Sequence, residues 1–325
     1  MLENIQFKYR YVENGNVKGF FTSKKGCVEQ TALILDGHSL AYQHVHDTTS
    51  RDNRLVLAVD GSGLPGPLLN EMHDGFIVLE VYKPGAEKLE KAIDRYASAH
   101  EAMANQKRLE AEGRGHEFRT QQCPSCQATV DLSELESGRF VYCRFCDSIF
   151  GQALESLSAK NSYRECDECG MFDRVQGHTE FYFYFLLVIY GFSHRRRHLC
   201  DSCASSLFWK VLMWNLPFVL GVPPAIYLKV KASTGKDADL ADLARANEFA
   251  RKARVQEAKE LYQRLLGRFP DHPGLLMNVG LAHFFAEQAE PGVEGLLASV
   301  KACPNYLPAL RHLRRFHAAV TGPAE

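Results

Sequence analysis

The chain has 325 residues, a formal net charge of −1 and a sequence pI of about 6.9, with 46% hydrophobic and 24% charged residues. That balance is ordinary for a globular protein and excludes whole-chain disorder, a collagen-like fibre and a polytopic membrane bundle. It also lacks the excess of Lys and Arg that a phosphate-tracking surface depends on, and the length leaves room for two or three modules.

Residues 1 to about 83 read as strands. Phe7-Lys8-Tyr9-Arg10-Tyr11-Val12 alternates, an Asn14-Gly15-Asn16 turn follows, and Val17 to Phe21 continues the pattern. Further strands are expected over Thr31 to Leu35, Ser39 to Val45, Arg54 to Val59 and Phe76 to Tyr82, with Asp36-Gly37 as a two-residue hairpin signal. Past Pro84-Gly85 the period lengthens, and Leu89, Ile93, Tyr96, Ala97, Met103 and Ala104 follow helical spacing up to Gly113.

Antiparallel strands closed by one long helix resemble the pleckstrin-homology-like superfold over residues 1–112. Gly37-His38-Ser39-Leu40-Ala41-Tyr42 and Arg51-Asp52-Asn53-Arg54-Leu55-Val56-Leu57 carry its middle strands. The resemblance implies a bent antiparallel sheet whose open end the helix plugs, and a use in binding inositol lipids or peptides. Lys24, Lys25, Arg51 and Arg54 are the basic candidates, and they are dispersed. Gly61-Ser62-Gly63-Leu64-Pro65-Gly66 matches G-x-G-x-x-G, but Pro65 and Pro67 remove amides and Phe76 begins a strand too soon for a crossover helix. His38, His44, His46 and His73 lack a carboxylate or Cys at a fixed offset and read as surface histidines.

Residues 113–122 read as a polar linker. Then come four C-x-x-C pairs, which hold eight of the 10 Cys. In the first module, residues 123–155, Cys123-Pro124-Ser125-Cys126 and Cys143-Arg144-Phe145-Cys146 resemble a zinc ribbon. Each tight turn aims two sulfurs at one point, and two facing turns complete a closed tetrahedron. Val130-Asp131-Leu132 and Arg139 to Tyr142 would supply its strands, and so small a core needs metal to fold.

The second module, residues 160–204, sets Cys166-Asp167-Glu168-Cys169 against Cys200-Asp201-Ser202-Cys203. Ribbon-like zinc again accounts for the spacing, with an enlarged apolar hairpin from Phe181 through Tyr190 as the insert. His194 and His198 stand close enough to replace a sulfur, and iron–sulfur ligation competes. Two-plus-two spacing favours a mononuclear ion, and four thiolates leave no position open for catalysis. Two structural Zn²⁺ are therefore expected, on Cys123, Cys126, Cys143, Cys146 and on Cys166, Cys169, Cys200, Cys203. A redox dithiol would be one such pair beside a βαβ pattern, not four in series. Cys27 and Cys303 read as small buried apolar groups.

Within residues 123–150, Asp131, Glu134, Glu136 and Asp147 outnumber Arg139 and Arg144, which argues against nucleic acid. Arg195-Arg196-Arg197 is the one footprint that would suit it. Residues 205–232 are apolar. Val211 to Leu228 is uncharged throughout but broken by Asn215, Pro217, Pro223 and Pro224, so it reads as two short packed helices, with a membrane-interfacial anchor as the alternative.

From 236 to 325 the pattern is helical and repeats. Phe269-Pro270-Asp271 recurs as Cys303-Pro304-Asn305 at the interval of a tetratricopeptide repeat. Ala246, Phe249, Ala258 and Tyr262, then Leu276, Val279, Gly280 and Leu296, fill its small and apolar positions. This resembles two tetratricopeptide repeats with a capping helix. The resemblance implies a concave groove that takes peptides or protein termini near Asn247, Asn278 and Arg311.

The fold class expected is multi-domain α+β: a bent antiparallel sheet with its helix, two small β zinc ribbons and an all-α repeat. No nucleophile–base pair or paired carboxylate stands out, and no small-molecule substrate is evident, so a non-enzymatic scaffold that binds proteins is expected. Met1-Leu2-Glu3-Asn4 carries no basic or apolar leader, and C-x-x-C pairs that read as metal ligands rather than a disulfide scaffold suit a reducing compartment. Location in the cytoplasm is expected, with attachment to the inner face of a membrane through 205–228 as the alternative.

Overall fold

The computed structural model describes residues 4–13, 15–19, 22–51, 53–151, 163–186, 189–215 and 241–321. The protein is mixed α+β, and it divides into two compact units, Met1–Glu134 and Leu135–Glu325.

In the first unit, β1 (Ile5–Glu13) turns Phe7, Tyr9 and Tyr11 inward and Lys8 and Arg10 outward, as its alternation dictates. It is the central strand of a curled antiparallel sheet. The other members are β3 (Lys24–Val28), β4 (Ala32–Leu35), β5 (His38–Ala41), β6 (Val45–Arg51), β7 (Arg54–Val59) and β8 (Phe76–Lys83). Their order is β5-β4-β3-β1-β8-β7-β6, and a short β2 (Asn16–Val17) pairs with β1. Asp36 and Gly37 both adopt positive φ, 52° and 81°, and bring Leu35 opposite His38, the geometry of a two-residue hairpin turn.

The stretch expected as one strand over Ser39 to Val45 is broken by a 3₁₀ turn at Tyr42–His44. Tyr42 points into the core there, donates to the Glu29 carbonyl at 2.6 Å and stacks on Tyr96 at 5.9 Å. The Gly61–Gly66 loop leads to a four-residue helix α1 (Gly66–Leu69) and then to antiparallel β8, so no βαβ crossover follows it.

Helix α2 (Ala86–Ala111) buries Leu89, Ala92, Ile93 and Tyr96 in the same core as the sheet. Beyond it, the segment read from sequence as a linker carries a 3₁₀ turn, Gly115–Glu117, and β9 (Thr120–Gln122), which pairs with β10 (Thr129–Asp131). This hairpin lies on α2: Thr129 N–H donates to Ser98 Oγ at 2.9 Å, and Asn105 Nδ2 donates to Asp131 Oδ2 at 2.6 Å.

The second unit opens with β11 (Phe140–Tyr142) and β12 (Ile149–Gly151), which pair with each other. A three-stranded sheet follows: β13 (Tyr163–Glu165), β14 (Phe172–Leu186) and β15 (Ile189–Cys200). Its long hairpin brings Leu186 opposite Ile189. Then come α3 (Asp201–Asn215), α4 (Ala241–Arg251), α5 (Val255–Arg268), α6 (Pro273–Phe285), α7 (Ala289–Ala302) and α8 (Leu307–Thr321).

The interval from the start of α5 at Val255 to that of α7 at Ala289 equals the interval from α6 at Pro273 to α8 at Leu307. Helices α6 and α7 approach so closely that a Cβ on Gly295 would lie 2.6 Å from Gly280 Cα. One core joins Phe140, Tyr142, Met171 and Phe172, in or beside the strands next to the cysteines, to Leu243, Tyr262, Leu275, Met277, Leu296 and Tyr306, in or beside the helices. Among the described residues no helix is long and apolar enough to cross a membrane. The part of the apolar segment from 216 to 232 lies outside the described residues.

Candidate metal centres

Three of the four C-x-x-C pairs fold identically. Cys123 N–H donates to Ala128 O, Cys143 N–H to Ser148 O and Cys166 N–H to Met171 O, each at 2.9 Å. The residue after the second Cys closes each turn: Gln127, Asp147 and Gly170 donate to the first Cys carbonyl at 2.9 Å, with φ of 64°, 59° and 70°. That left-handed residue curls the chain so that both sulfurs face the same side. The first two turns join β9 to β10 and β11 to β12, and the third joins β13 to β14.

The fourth pair is carried differently. Cys200 ends β15 and Cys203 lies in the first turn of α3. Cys200 N–H donates to Cys166 Sγ at 3.3 Å, and Asp167 and His198 exchange bonds of 3.0 and 2.7 Å across the same edge.

The sulfurs converge in two groups, Cys123, Cys126, Cys143, Cys146 and Cys166, Cys169, Cys200, Cys203, with ligand atoms in each group within 4.8 Å of one another. Sulfurs of a tetrahedral Zn–S₄ site lie about 3.8 Å apart, given a Zn–S bond near 2.3 Å. Cys169 Sγ and Cys200 Sγ stand at 4.0 Å. All eight cysteines are free of disulfides, and five are buried. Both groups fit zinc-ribbon-like sites.

The chemistry of the second donor set points the same way. Hydrogen bonds from Cys169, Cys200 and Cys203 hold the Cys166 thiol well below its ordinary pKa, while the same crowding raises Cys200 and Cys203. Sulfurs packed this tightly ionise together only around a cation. Arg251 Nη1 donates to Cys169 Sγ at 3.8 Å; burial works against its charge, and the neighbouring thiols outweigh burial and raise its pKa.

The two sulfur groups are the clusters among the described residues that could hold a metal ion; His38, His44, His46 and His73 join neither. His73 instead pairs with Glu13 at 3.3 Å. His198 is tied to Asp167, and the side chain of His194 lies outside the described part. Arg197 pairs with Glu168; the side chains of Arg195 and Arg196 also lie outside it. Lys24 pairs with Asp36 at 2.8 Å, and Arg54 donates to the Gly15 carbonyl at 2.9 Å. Cys303 is buried, and burial pushes its thiol up to about 12.

Asn247 and Asn278, expected to line a groove, are fully buried and both bond the backbone of Phe172. Arg311 stands 3.6 Å from Glu165. Sequence reasoning missed Asn305, whose amide holds Tyr142 from both sides: Tyr142 N–H donates to its Oδ1 at 3.0 Å, and its Nδ2 donates to Tyr142 O at 2.7 Å. It also missed Arg251 and the buried Asp173, whose carboxyl burial raises to about 6. The one available signal was Asn305 directly after Pro304, at the helix-to-helix turn. No protein-family model matches the chain, and no curated protein or solved structure matches it either.

Proposed function

We propose that this chain is a non-enzymatic, zinc-organised interaction protein. In this reading two structural Zn²⁺ hold the middle of the polypeptide, a pleckstrin-homology-like first unit presents one docking surface, and a tetratricopeptide-like helical region presents another. The observation that carries it is the convergence of eight cysteines into two four-sulfur groups, to which no His, Asp or Glu among the described residues adds a fifth, reactive position. The curled sheet with its closing helix, and helix starts that recur at a constant interval, support the flanking modules.

Metal analysis of purified chain tests this. The reading expects about two zinc per chain and the eight clustered thiols unreactive until a chelator is added. Absence of metal with oxidised cysteines contradicts it.

A second reading, attachment to a membrane surface, is favoured by Trp209 and Met213. They stand one helical turn apart on α3, 53% and 66% exposed, where the apolar segment begins. Sedimentation with vesicles of anionic lipid tests it: retention lost in Trp209→Ala supports attachment, and a chain that stays in the supernatant contradicts it.

A further inference from the structure

The inner face of the C-terminal helices is shaped to hold an extended strand, and the strand it holds belongs to the same chain. Phe172 N–H donates to Asn278 Oδ1 at 2.8 Å, and Asn278 Nδ2 donates back to Phe172 O at 2.7 Å. Asn247 Nδ2 adds a second donor to that carbonyl at 3.0 Å. Its own Oδ1 accepts from Tyr262 Oη at 2.6 Å and from Asn278 Nδ2 at 2.9 Å. Both asparagines have 0% exposure, so their orientation is fixed by this network. An amide that donates to and accepts from one residue stands in for a neighbouring strand, and it reads extended backbone whatever the side chain.

Side-chain choice comes from the floor of the cleft. The Phe172 ring lies 4.8 Å from His272, and a Cβ on Gly274 would sit 2.4 Å from the ring. The bare backbone of α6 therefore admits a flat aromatic. Without a strand, Asn247 would lose the Phe172 carbonyl and Asn278 both of its bonds to the Phe172 backbone, so the cleft favours an occupant that offers the same backbone groups.

The register of that occupant is set by the second cysteine group. Phe172 follows Met171, whose carbonyl accepts from Cys166 N–H, and Gly170 N–H closes the same turn on Cys166 O. On the reading that this group holds structural zinc, we propose that the ion controls access to the cleft. With zinc bound, the Met171-Phe172-Asp173 strand fills the cleft from within the chain. On loss of the ion the turn keeps only the β14–β15 ladder and the Asp167–His198 bonds to this edge, its strand exchanges out of the cleft, and the cleft accepts an extended peptide of the same chemistry, an aromatic residue flanked by an apolar and an acidic one.

The test uses the full chain, zinc-loaded or chelator-treated, and a fluorescent peptide of residues 168–176 carrying Cys169→Ser. Binding is followed by anisotropy, helix content by circular dichroism, and metal content in the same samples. The expected result is at least tenfold tighter binding after depletion, with helix content retained. Cys203→Ser, which removes only the second ion, should behave like the depleted chain, and Phe172→Ala in the peptide should abolish binding without touching the protein's fold. Equal binding before and after depletion, indifference to Phe172→Ala in the peptide, loss of helix on depletion, or dimerisation by exchange of this strand between copies would each overturn the proposal. A starting sample without zinc sinks the metal reading and the proposal together, whereas zinc present and removable with no gain in binding sinks the proposal alone.

Discussion

At the scale of single residues, a tetrahedral site has no redundant ligand. Replacing Cys166 by Ser leaves three thiolates and a poor donor, so the chain should retain about one zinc rather than two and melt at lower temperature, as metal analysis and calorimetry would show. Asn278→Ala strands the Phe172 amide N–H in the core and leaves the Phe172 carbonyl to Asn247 alone. A loss of about 2 kcal/mol is expected in urea unfolding, because an unmet buried group costs about 1–3 kcal/mol.

His272 gives a pH signature. It is buried, caps α6 by accepting from Leu275 N–H, and burial lowers its pKa to about 3. The unfolded chain takes up that proton below the ordinary histidine pKa near 6.5 while the folded chain does not, so stability falls as pH falls through this window. Between pH 6.5 and 5 the wild-type chain should lose about 2 kcal/mol more than His272→Asn, which keeps a capping side chain. Parallel pH dependences in the two chains would contradict this. The cysteines were legible in the sequence because contiguous spacing fixes their chemistry. The asparagine contacts were not, since Asn278 and Phe172 are 106 residues apart.

At the scale of elements, three turns of one geometry carry six of the eight cysteines, and the end of β15 and the first turn of α3 carry the other two. The left-handed residue after each knuckle is the local cause, and only at Gly170 does the sequence advertise it. The same contrast separates the strands that could be read from those that could not. β1, β7 and β8 alternate cleanly, whereas β3 carries Lys24-Lys25-Gly26 and β6 reads Val45-His46-Asp47-Thr48-Thr49-Ser50-Arg51. The latter is an edge strand, polar throughout its middle. Among the helices, the Gly280–Gly295 contact sets how closely α6 and α7 pack. Gly295→Ala should force backbone apart and cost about 2 kcal/mol, visible as a lowered thermal midpoint. An unchanged midpoint would mean the helices part freely there.

At the scale of the whole molecule, the sequence suggested ribbons and a helical repeat as separate beads. In the second unit the strands beside the cysteines and the C-terminal helices instead share one core, with Phe172 and Tyr142 each held by asparagine from the helical side. Hydrophobic periodicity marks which face of a helix is buried, but not what buries it, so this union could not be read from spacing alone. Chelation should therefore lower the melting temperature of the helices themselves by about 10 °C, the equivalent of roughly 3 kcal/mol for a unit of this size, with helix content retained at room temperature.

The most direct measurement is X-ray absorption at the zinc edge on the full chain, combined with metal content. This account predicts two zinc ions per chain, each surrounded by four sulfurs at about 2.3 Å with no nitrogen or oxygen in the coordination sphere. Fewer ions, a mixed coordination sphere, or sulfurs oxidised to disulfides would contradict it.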